Sequence, residues 1–310
     1  MLEAVGLTKH FKQQKAVQGI NLHLGRGEIV GLLGPNGAGK STAIAMISSL
    51  ISPTQGEVRY NQVDVLKKPH VLRAKLGVVP QEIALYDDLT AKENLEFFGC
   101  IQKIKSSELK GRVKEVLEQI GLSDQGKKLV KHFSGGMKRR LNIGVALLHE
   151  PEILIMDEPT VGIDPQSRNY ILETVKRLNQ EKQMTILYTS HYMEEVEFLC
   201  DRIYIMDRGN VIASGTKDEI KNILSAENTI LVKLQRRNEV FLHALQKEAV
   251  ISRLDGHENW VTIVIPKDVQ FFSELMKIAE VSEAVIQSIE IQTPSLEDVF
   301  LHLTGRALRN

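Results

Sequence analysis

Hydrophobic positions along this chain follow two different periods, and the places where the period changes outline its organisation. Residues 2–7 and 16–24 read as strands joined by a polar turn over residues 9–15. In the second, Gly19-Ile20-Asn21-Leu22-His23-Leu24 is apolar at every other position, as in an antiparallel strand with one face in solvent. Residues 28–33 form an apolar run opened by Glu28, a buried strand, followed by a glycine-rich stretch and a helix that ends near Ser52-Pro53. Residues 56–63 alternate again, and residues 76–80 are a short apolar strand closed by Pro80. From residue 89 to about 150 the period becomes helical. Thr90-Ala91-Lys92-Glu93 has the spacing of a capping box, and further helices are predicted over residues 107–120 and 134–148. Strand patterns resume at 153–156, 184–189, 202–206 and 211–213, with helices over 165–182 and 193–198. Alternating strands and helices predict a mostly parallel sheet covered on both faces, with the helical stretch inserted between two of its strands.

Beyond about residue 224 the composition changes. Strands at 229–234, 250–254, 260–265 and 285–291 and helices at 240–247 and 269–279 give the order βαββαβ, that of a small ferredoxin-like α+β domain. Asp255-Gly256-His257-Glu258 is read as its hairpin turn. Pro294-Ser295-Leu296-Glu297-Asp298-Val299-Phe300-Leu301-His302-Leu303 then reads as a capped amphipathic helix packed on a partner domain. Two domains are expected, residues 1–224 and residues 225–310, and the second carries no cluster of titratable residues to which chemistry is assigned.

Composition narrows the possible partners. The 39 basic and 39 acidic side chains cancel, so no overall field draws in a polyanion, and nucleic acid is not an expected partner. The two cysteines, Cys100 and Cys200, lack metal-type spacing and are expected as buried free thiols in a reducing compartment. The first residues, Met1-Leu2-Glu3-Ala4, show no basic segment ahead of an apolar one, and no apolar run approaches membrane-spanning length. The expectation is a cytoplasmic protein that reaches a membrane only through a partner.

The candidate chemistry begins at Gly34-Pro35-Asn36-Gly37-Ala38-Gly39-Lys40-Ser41-Thr42, which satisfies G-x-x-x-x-G-K-[ST] between a strand and a helix. Glycines allow successive backbone N–H groups to turn inward around a triphosphate at the positive end of the following helix. Lys40 supplies a point charge for the outer phosphates, and the Ser41 hydroxyl is a magnesium ligand. Ile153-Leu154-Ile155-Met156-Asp157-Glu158-Pro159 is an apolar strand ending in two carboxylates: Asp157 to hold magnesium, Glu158 to polarise the attacking water. Gly34, Gln81, Asp157-Glu158 and His191 each follow an apolar strand, so they converge on the carboxyl edge of one sheet, where open α/β folds bind ligands. There Gln81 is placed to position metal or water, and His191 to donate a hydrogen bond to the terminal phosphate. Phe11 either stacks on adenine or is simply a half-buried aromatic at a strand end. Ser134-Gly135-Gly136 opens another helix with a good N-cap and exposed amides, a second anion site. Two such half-sites in one chain suggest two copies facing each other.

This set, with Val161-Gly162-Ile163-Asp164, resembles the ATP-binding subunit of an ABC transporter over roughly the first two-thirds of the chain. The resemblance implies an ABC nucleotide-binding domain of the P-loop NTPase class, with ATP and Mg2+ as cofactors. It implies a head-to-tail homodimer, with ATP between the phosphate loop of one copy and Ser134, Gly135 and Gly136 of the other. It further implies Glu158 as general base, Asp164 as a contact across the interface and Gln81 as the link to membrane subunits. The family's signature reads leucine-serine-glycine-glycine-glutamine; Phe133 and Met137 depart from it at the two ends. Gly135-Gly136-Met137-Lys138-Arg139-Arg140-Leu141, the segment from Pro159 to Arg168 and the tail over residues 294–306 resemble the bacterial drug-resistance subgroup, the daunorubicin-exporter type. That implies an ATPase on the inner face of the cell membrane, driving export of a small amphiphilic compound through a separate ABC-2 type permease. Polysaccharide, lipid or sodium efflux lies within the same wider group. A soluble ABC ATPase acting on ribosomes or DNA is a different class. The single set of motifs, the absence of heptads and the neutral charge balance argue against it.

Overall fold

The computed structural model describes residues 1–12, 14–190, 192–224, 227–292 and 295–305. The described residues form two compact units, residues 1–217 with 303–305, and residues 218–302. In chain order the first unit contains β1 (Leu2–Phe11), β2 (Gln14–Leu24), β3 (Ile29–Leu33), α1 (Lys40–Ile47), β4 (Gln55–Tyr60), β5 (Val63–Asp64), α2 (Pro69–Arg73) and β6 (Leu76–Val79). The helical stretch follows as α3 (Ala91–Ile101), α4 (Ser106–Gln119) and α5 (Gly135–Leu147). Then come β7 (Ile153–Met156), α6 (Pro165–Lys182), β8 (Thr185–Thr189), α7 (Met193–Leu199), β9 (Arg202–Asp207) and β10 (Asn210–Thr216).

The main sheet has six strands in the order β10-β9-β3-β8-β7-β6. All neighbours are parallel except β10 and β9, as alternating strands and helices require. Because β6 and β7 are neighbours, the helical stretch between them is an insertion into one sheet. Its first helix begins on the predicted box: Glu93 N donates to Thr90 Oγ1 at 3.2 Å and Thr90 N to Glu93 Oε2 at 2.8 Å. A second, antiparallel sheet, β2-β1-β4-β5, lies over α1, and Leu2, Leu7, Leu22, Leu24 and Val58 share a core with Ile44, Met46, Ile47 and Leu32. The second unit carries α8 (Lys217–Asn222) at its start, then β11 (Glu227–Leu234), α9 (Glu239–Gln246), β12 (Arg253–His257), β13 (Trp260–Pro266), α10 (Phe272–Val281) and β14 (Ile286–Gln292). Its antiparallel order β12-β13-β11-β14 is the ferredoxin-like arrangement, with Phe241, Leu245, Leu275 and Ile278 packed on Ile230, Val232 and Ile263. A last helix, α11 (Leu296–Thr304), is capped by Ser295, whose Oγ accepts from Asp298 N at 3.1 Å; Pro294 lies outside the described residues.

Four sequence expectations are corrected. The first strand does not stop at residue 7, and residues 9–15 are not all turn: pairing runs on to Phe11 with Gln14, since ladder hydrogen bonds do not need apolar side chains. The strand over 56–63 breaks where Asn61 (φ 47°) and Gln62 (φ 68°) turn left-handed between β4 and β5. Asp255, Gly256 and His257 belong to β12, and the turn is Glu258-Asn259, with His257 opposite Trp260. Gly256 marks close packing rather than a turn, because a Cβ there would stand 3.1 Å from Leu242 Cδ2. Cys100 is exposed while Cys200 is buried, since α3 turns Ala91, Asn94, Leu95 and Gly99 inward and leaves Cys100 outside.

The starts of β3 and β9 are clamped by Glu28 and Arg202. Arg202 Nε donates to Glu28 Oε1 at 2.7 Å and Nη2 to Oε2 at 2.9 Å, and the Gly25 amide donates to the same Oε2 at 2.7 Å. Burial pushes the Glu28 carboxyl up, but the Arg202 and Gly25 hydrogen bonds outweigh it and hold the carboxyl below its ordinary value. A depressed carboxyl adds stability above its unfolded pKa and loses it as pH falls through the folded one. Glu28→Gln should therefore lower Tm by about 2–4 °C at pH 7, and the gap to wild type should close as pH drops below the glutamate range. Thermal unfolding followed by circular dichroism from pH 3 to pH 7 checks both.

Candidate nucleotide-binding site

The site is built where β3, β8, β7 and β6 end. The register pairs Leu32 with Thr189, Tyr188 with Met156 and Met156 with Val79, so the residues after each strand emerge along one edge. Gly34 leaves β3 so close to β9 that a Cβ would stand 2.4 Å from the Met206 carbonyl oxygen. Gly39, at φ 103°, has the left-handed backbone that lets the loop turn into α1, and a Cβ there would meet the Ala16 oxygen of β2 at 2.5 Å. These contacts hold the loop between the two sheets. Lys40, the first residue of α1, is 5 % exposed, and its Nζ donates to the carbonyls of Gly34 at 2.7 Å and Pro35 at 3.3 Å. Burial pushes the Lys40 ammonium down, and the charges of Glu158 and Asp157 offset part of that push. Ser41 and Asn36 are exposed on the same loop.

All four residues of β7 are fully buried, and the strand delivers Asp157 and Glu158 to the edge beside Lys40. Glu158 is 6 % exposed, its Oε1 3.8 Å from Lys40 Nζ, and Gln81 Nε2 donates to its Oε2 at 3.0 Å. Its backbone is left-handed, φ 49°, and its amide donates to Thr189 Oγ1 at 2.8 Å. The same hydroxyl donates to Asp157 Oδ1 at 2.8 Å, so one threonine at the end of β8 orients both acidic residues. Gln81, Lys40 and Glu158 are thus brought together. His191 lies outside the described residues.

Ser134, Gly135, Gly136 and Asp164 gather elsewhere. Ser134 caps α5, accepting from Met137 N at 3.3 Å, and Asp164 caps α6, accepting from Ser167 N at 2.9 Å. Gly135 faces open space, whereas a Cβ on Gly136 would stand 2.1 Å from Ser167 Oγ, so the second glycine is required by helix packing within the chain. Ser134, Gly135 and Asp164 are exposed, and none of them lines the cleft over the phosphate loop. A connection that the sequence did not signal runs from this helix to the edge: Arg139 of α5 is 4 % exposed and donates to the carbonyls of Pro80 at 2.8 Å and Gln81 at 2.7 Å.

The cleft over the loop has a volume of about 630 Å3 and is lined by the loop from Asn36 to Thr42, by Gln81 and Glu158, and by Phe11 at the end of β1. Phe11 is half-exposed there, with Lys9 Nζ 5.3 Å from its ring centre. Gln14, Lys15, Ala16 and Gln18 of β2 and Arg208-Gly209 of the β9–β10 turn complete the lining; sequence reasoning missed them. Part of this wall is tied down by backbone, which residue types do not signal: Gln18 N donates to Gly209 O at 2.8 Å and Gly209 N to Ala38 O at 2.9 Å. Among the described residues no group of three or more His, Cys, Asp or Glu side chains forms a metal site. The hard donors near the loop are the Ser41 hydroxyl, the Gln81 amide and the Asp157 carboxylate, a sparse oxygen set that suits a magnesium ion held largely by phosphates and water.

An edge that buries a lysine at the end of a glycine-rich loop, beside paired carboxylates, is built to take a polyphosphate and to hydrolyse it; this is a P-loop ATPase. The added antiparallel sheet and the inserted helices place it among ATP-binding cassettes. The chain belongs to the ABC transporter family, whose model matches residues 17–161, and it is an ATPase of the drug-resistance exporter type. It is 48 % identical over 312 residues, the whole of both chains, to the linearmycin resistance ATP-binding protein LnrL of Bacillus subtilis. It is 36 % identical to the daunorubicin/doxorubicin resistance ATP-binding protein DrrA of Streptomyces peucetius, over 98 % of this chain and 92 % of that one. Among solved structures, the dimeric post-hydrolysis state of the ATP-binding cassette MJ0796 bound to ADP and Pi superposes with a TM-score of 0.64. It is 29 % identical and covers 70 % of this chain and 98 % of its own.

Lys40 is the buried cation of the loop and the expected contact for the outer phosphates. Lys40→Ala should weaken ATP about ten- to a hundredfold, the worth of a hydrogen bond to a charged group, while the loop itself stays folded. Equilibrium titration with a fluorescent ATP analogue measures it, and unchanged affinity would move the phosphates elsewhere.

Proposed function

We propose that this ATPase powers export of a small amphiphilic compound through a separate membrane permease of the ABC-2 type, docked on the cytoplasmic face of the cell membrane. The observation that carries this reading is the whole-length likeness to a linearmycin resistance ATP-binding protein, which takes in the βαββαβ unit and the tail as well as the cassette. Among the described residues no helix is long and apolar enough to cross a membrane, so the transport path is assigned to the permease. The exposed rings of Tyr86 and Phe97, 4.8 Å apart, lie on the segment after Gln81 and on α3, and support that side as the permease contact.

In this reading two copies close head to tail. Ser134 and Gly135, exposed and away from their own cleft, present the N-terminus of α5 to the γ-phosphate held by the other copy, with Asp164 contacting across the interface. Phosphate is gripped by the Lys40 ammonium and the loop amides, and Phe11 offers an aromatic face to adenine. Ser41, Asp157 and Gln81 hold magnesium, which supplies neutralising charge on the outer phosphates. Glu158 takes the proton of the attacking water, its backbone fixed by Thr189 and its carboxylate steered by Gln81. His191 donates to the terminal phosphate.

Proteoliposomes containing the permease encoded beside this chain test the whole reading. Wild type should drive ATP-dependent movement of an amphiphilic dye; movement of sodium, lipid or polysaccharide instead would replace the substrate class, and no association with the permease would sink the exporter role. Glu158→Gln should bind ATP, run as a dimer on size-exclusion chromatography and hydrolyse about two to four orders of magnitude more slowly.

The sandwich has its own test. Ser134→Arg should keep ATP binding in the monomer and lose dimerisation and hydrolysis. Mixing it with Lys40→Ala should restore part of the activity, because one composite site is then intact. Normal hydrolysis by Ser134→Arg in the presence of permease would remove the composite site.

A further inference from the structure

Glu195, on α7, is a carboxylate only 2 % exposed to solvent. Three hydroxyls converge on its Oε2: Ser190 Oγ donates at 2.6 Å, and Thr160 Oγ1 and Tyr188 Oη each at 2.9 Å. Arg168 Nε lies 3.5 Å from its other oxygen, and the Arg168 guanidinium covers the Tyr192 ring at 4.0 Å. Ser190 Oγ also accepts from Tyr192 N at 2.9 Å. Packing alone does not call for this arrangement. An apolar residue would fill the inner face of α7 beside Met193, Val196 and Leu199, and burying a carboxylate is costly unless its partners need it.

The partners are not scattered. Thr160 stands two residues after Glu158. Ser190 follows Thr189, the residue that holds both Asp157 Oδ1 and the Glu158 amide. Arg168 lies in the first turns of α6, directly after the Asp164 cap and the Ser167 contact with Gly136. Two of these segments carry groups at the edge and the third carries the Asp164 cap, and each has one anchor on the same carboxylate.

We propose that Glu195 is a positioning residue for ATP hydrolysis. It holds the segment after Glu158, the turn after Thr189 and the start of α6 in one fixed register. The carboxylate touches neither nucleotide nor water; it fixes where the groups that do so stand. The inference rests on the reading of Glu158 as the base. If it holds, loss of Glu195 lowers turnover without changing how the loop grips ATP, because none of its partners lines the cleft.

The test compares kcat with ATP affinity in the full chain. Glu195→Ala should cut kcat about a hundredfold, as misplaced groups do, with ATP Kd unchanged within about twofold. Glu195→Gln keeps a carbonyl oxygen for the hydroxyls and should recover about tenfold of that loss. Tyr188→Phe removes one donor and keeps the ring, so it tests the same point should the alanine variant fail to fold; kcat should fall about two- to tenfold at unchanged Kd. Wild-type kcat in folded Glu195→Ala or in Tyr188→Phe overturns the proposal, and so does a parallel loss of kcat and affinity. Glu158→Gln is measured alongside. If it turns over normally, the base assignment fails; if it is inactive while Glu195→Ala is not, only the positioning role fails.

Discussion

Two opposite charges are buried side by side at the carboxyl edge of the six-stranded sheet, and neither can be left there alone. Lys40 and Glu158 are almost wholly withdrawn from water, 3.8 Å apart, and stripping either of its partners would strand a charge at a cost of several kcal/mol. The surroundings are what that constraint demands. The carbonyls of Gly34 and Pro35 turn toward the ammonium, and the Gln81 amide turns toward the carboxylate. In the proposed reading, a phosphate arriving at Lys40 would compete with Glu158 for the ammonium, so that binding the ligand and releasing the base become one electrostatic exchange. A site in water would gain little from such an exchange, because exposed pairs are worth so little.

Holding that pair takes more than the strands that end beside it. The antiparallel sheet presses the Ala16 carbonyl against Gly39, and the β9–β10 turn hydrogen-bonds Ala38 through Gly209. From the other side Arg139 reaches from α5 and fixes the carbonyls of Pro80 and Gln81. Burial pushes the Arg139 guanidinium down from its ordinary value, yet it stays charged, because arginine loses its proton only far above neutral pH. The helix that presents Ser134 outward therefore also steers the chain that carries Gln81 to Glu158. The link from α5 to the carboxylate runs from the Arg139 guanidinium to the Gln81 peptide and on through the Gln81 side chain.

How far the sequence spoke depends on which atoms do the work. Where side chains act, it spoke clearly: Lys40, Asp157 and Glu158 follow apolar strands, and the parallel register brings those strand ends to one edge. Where backbone acts, residue types gave no signal. Ala16 and Gly209 shape the cleft through carbonyl and amide groups, and nothing in an alanine announces that. Glu195 was hidden differently. Glu194 and Glu195 look alike in a helical pattern, and only the packing of α7 shows that one is exposed and the other is the acceptor for three hydroxyls. Gly256 misled because a glycine signals freedom to turn and close approach with the same letter, and here Leu242 packs beneath it. Gly136, read as an open anion site, is as much a packing residue against Ser167.

The two thiols differ in a way that outlasts any question about ATP. Cys200 is sealed against Gly31, with burial first and the neighbouring Asp201 second pushing its thiol far above the ordinary range, whereas Cys100 stands in solvent on α3. Alkylating reagents need thiolate and access, and only Cys100 offers access. The native chain thus carries a single addressable handle, on the helical insertion rather than on the sheet. A dye attached there labels the insertion without any engineered cysteine, and away from the cleft over the glycine-rich loop.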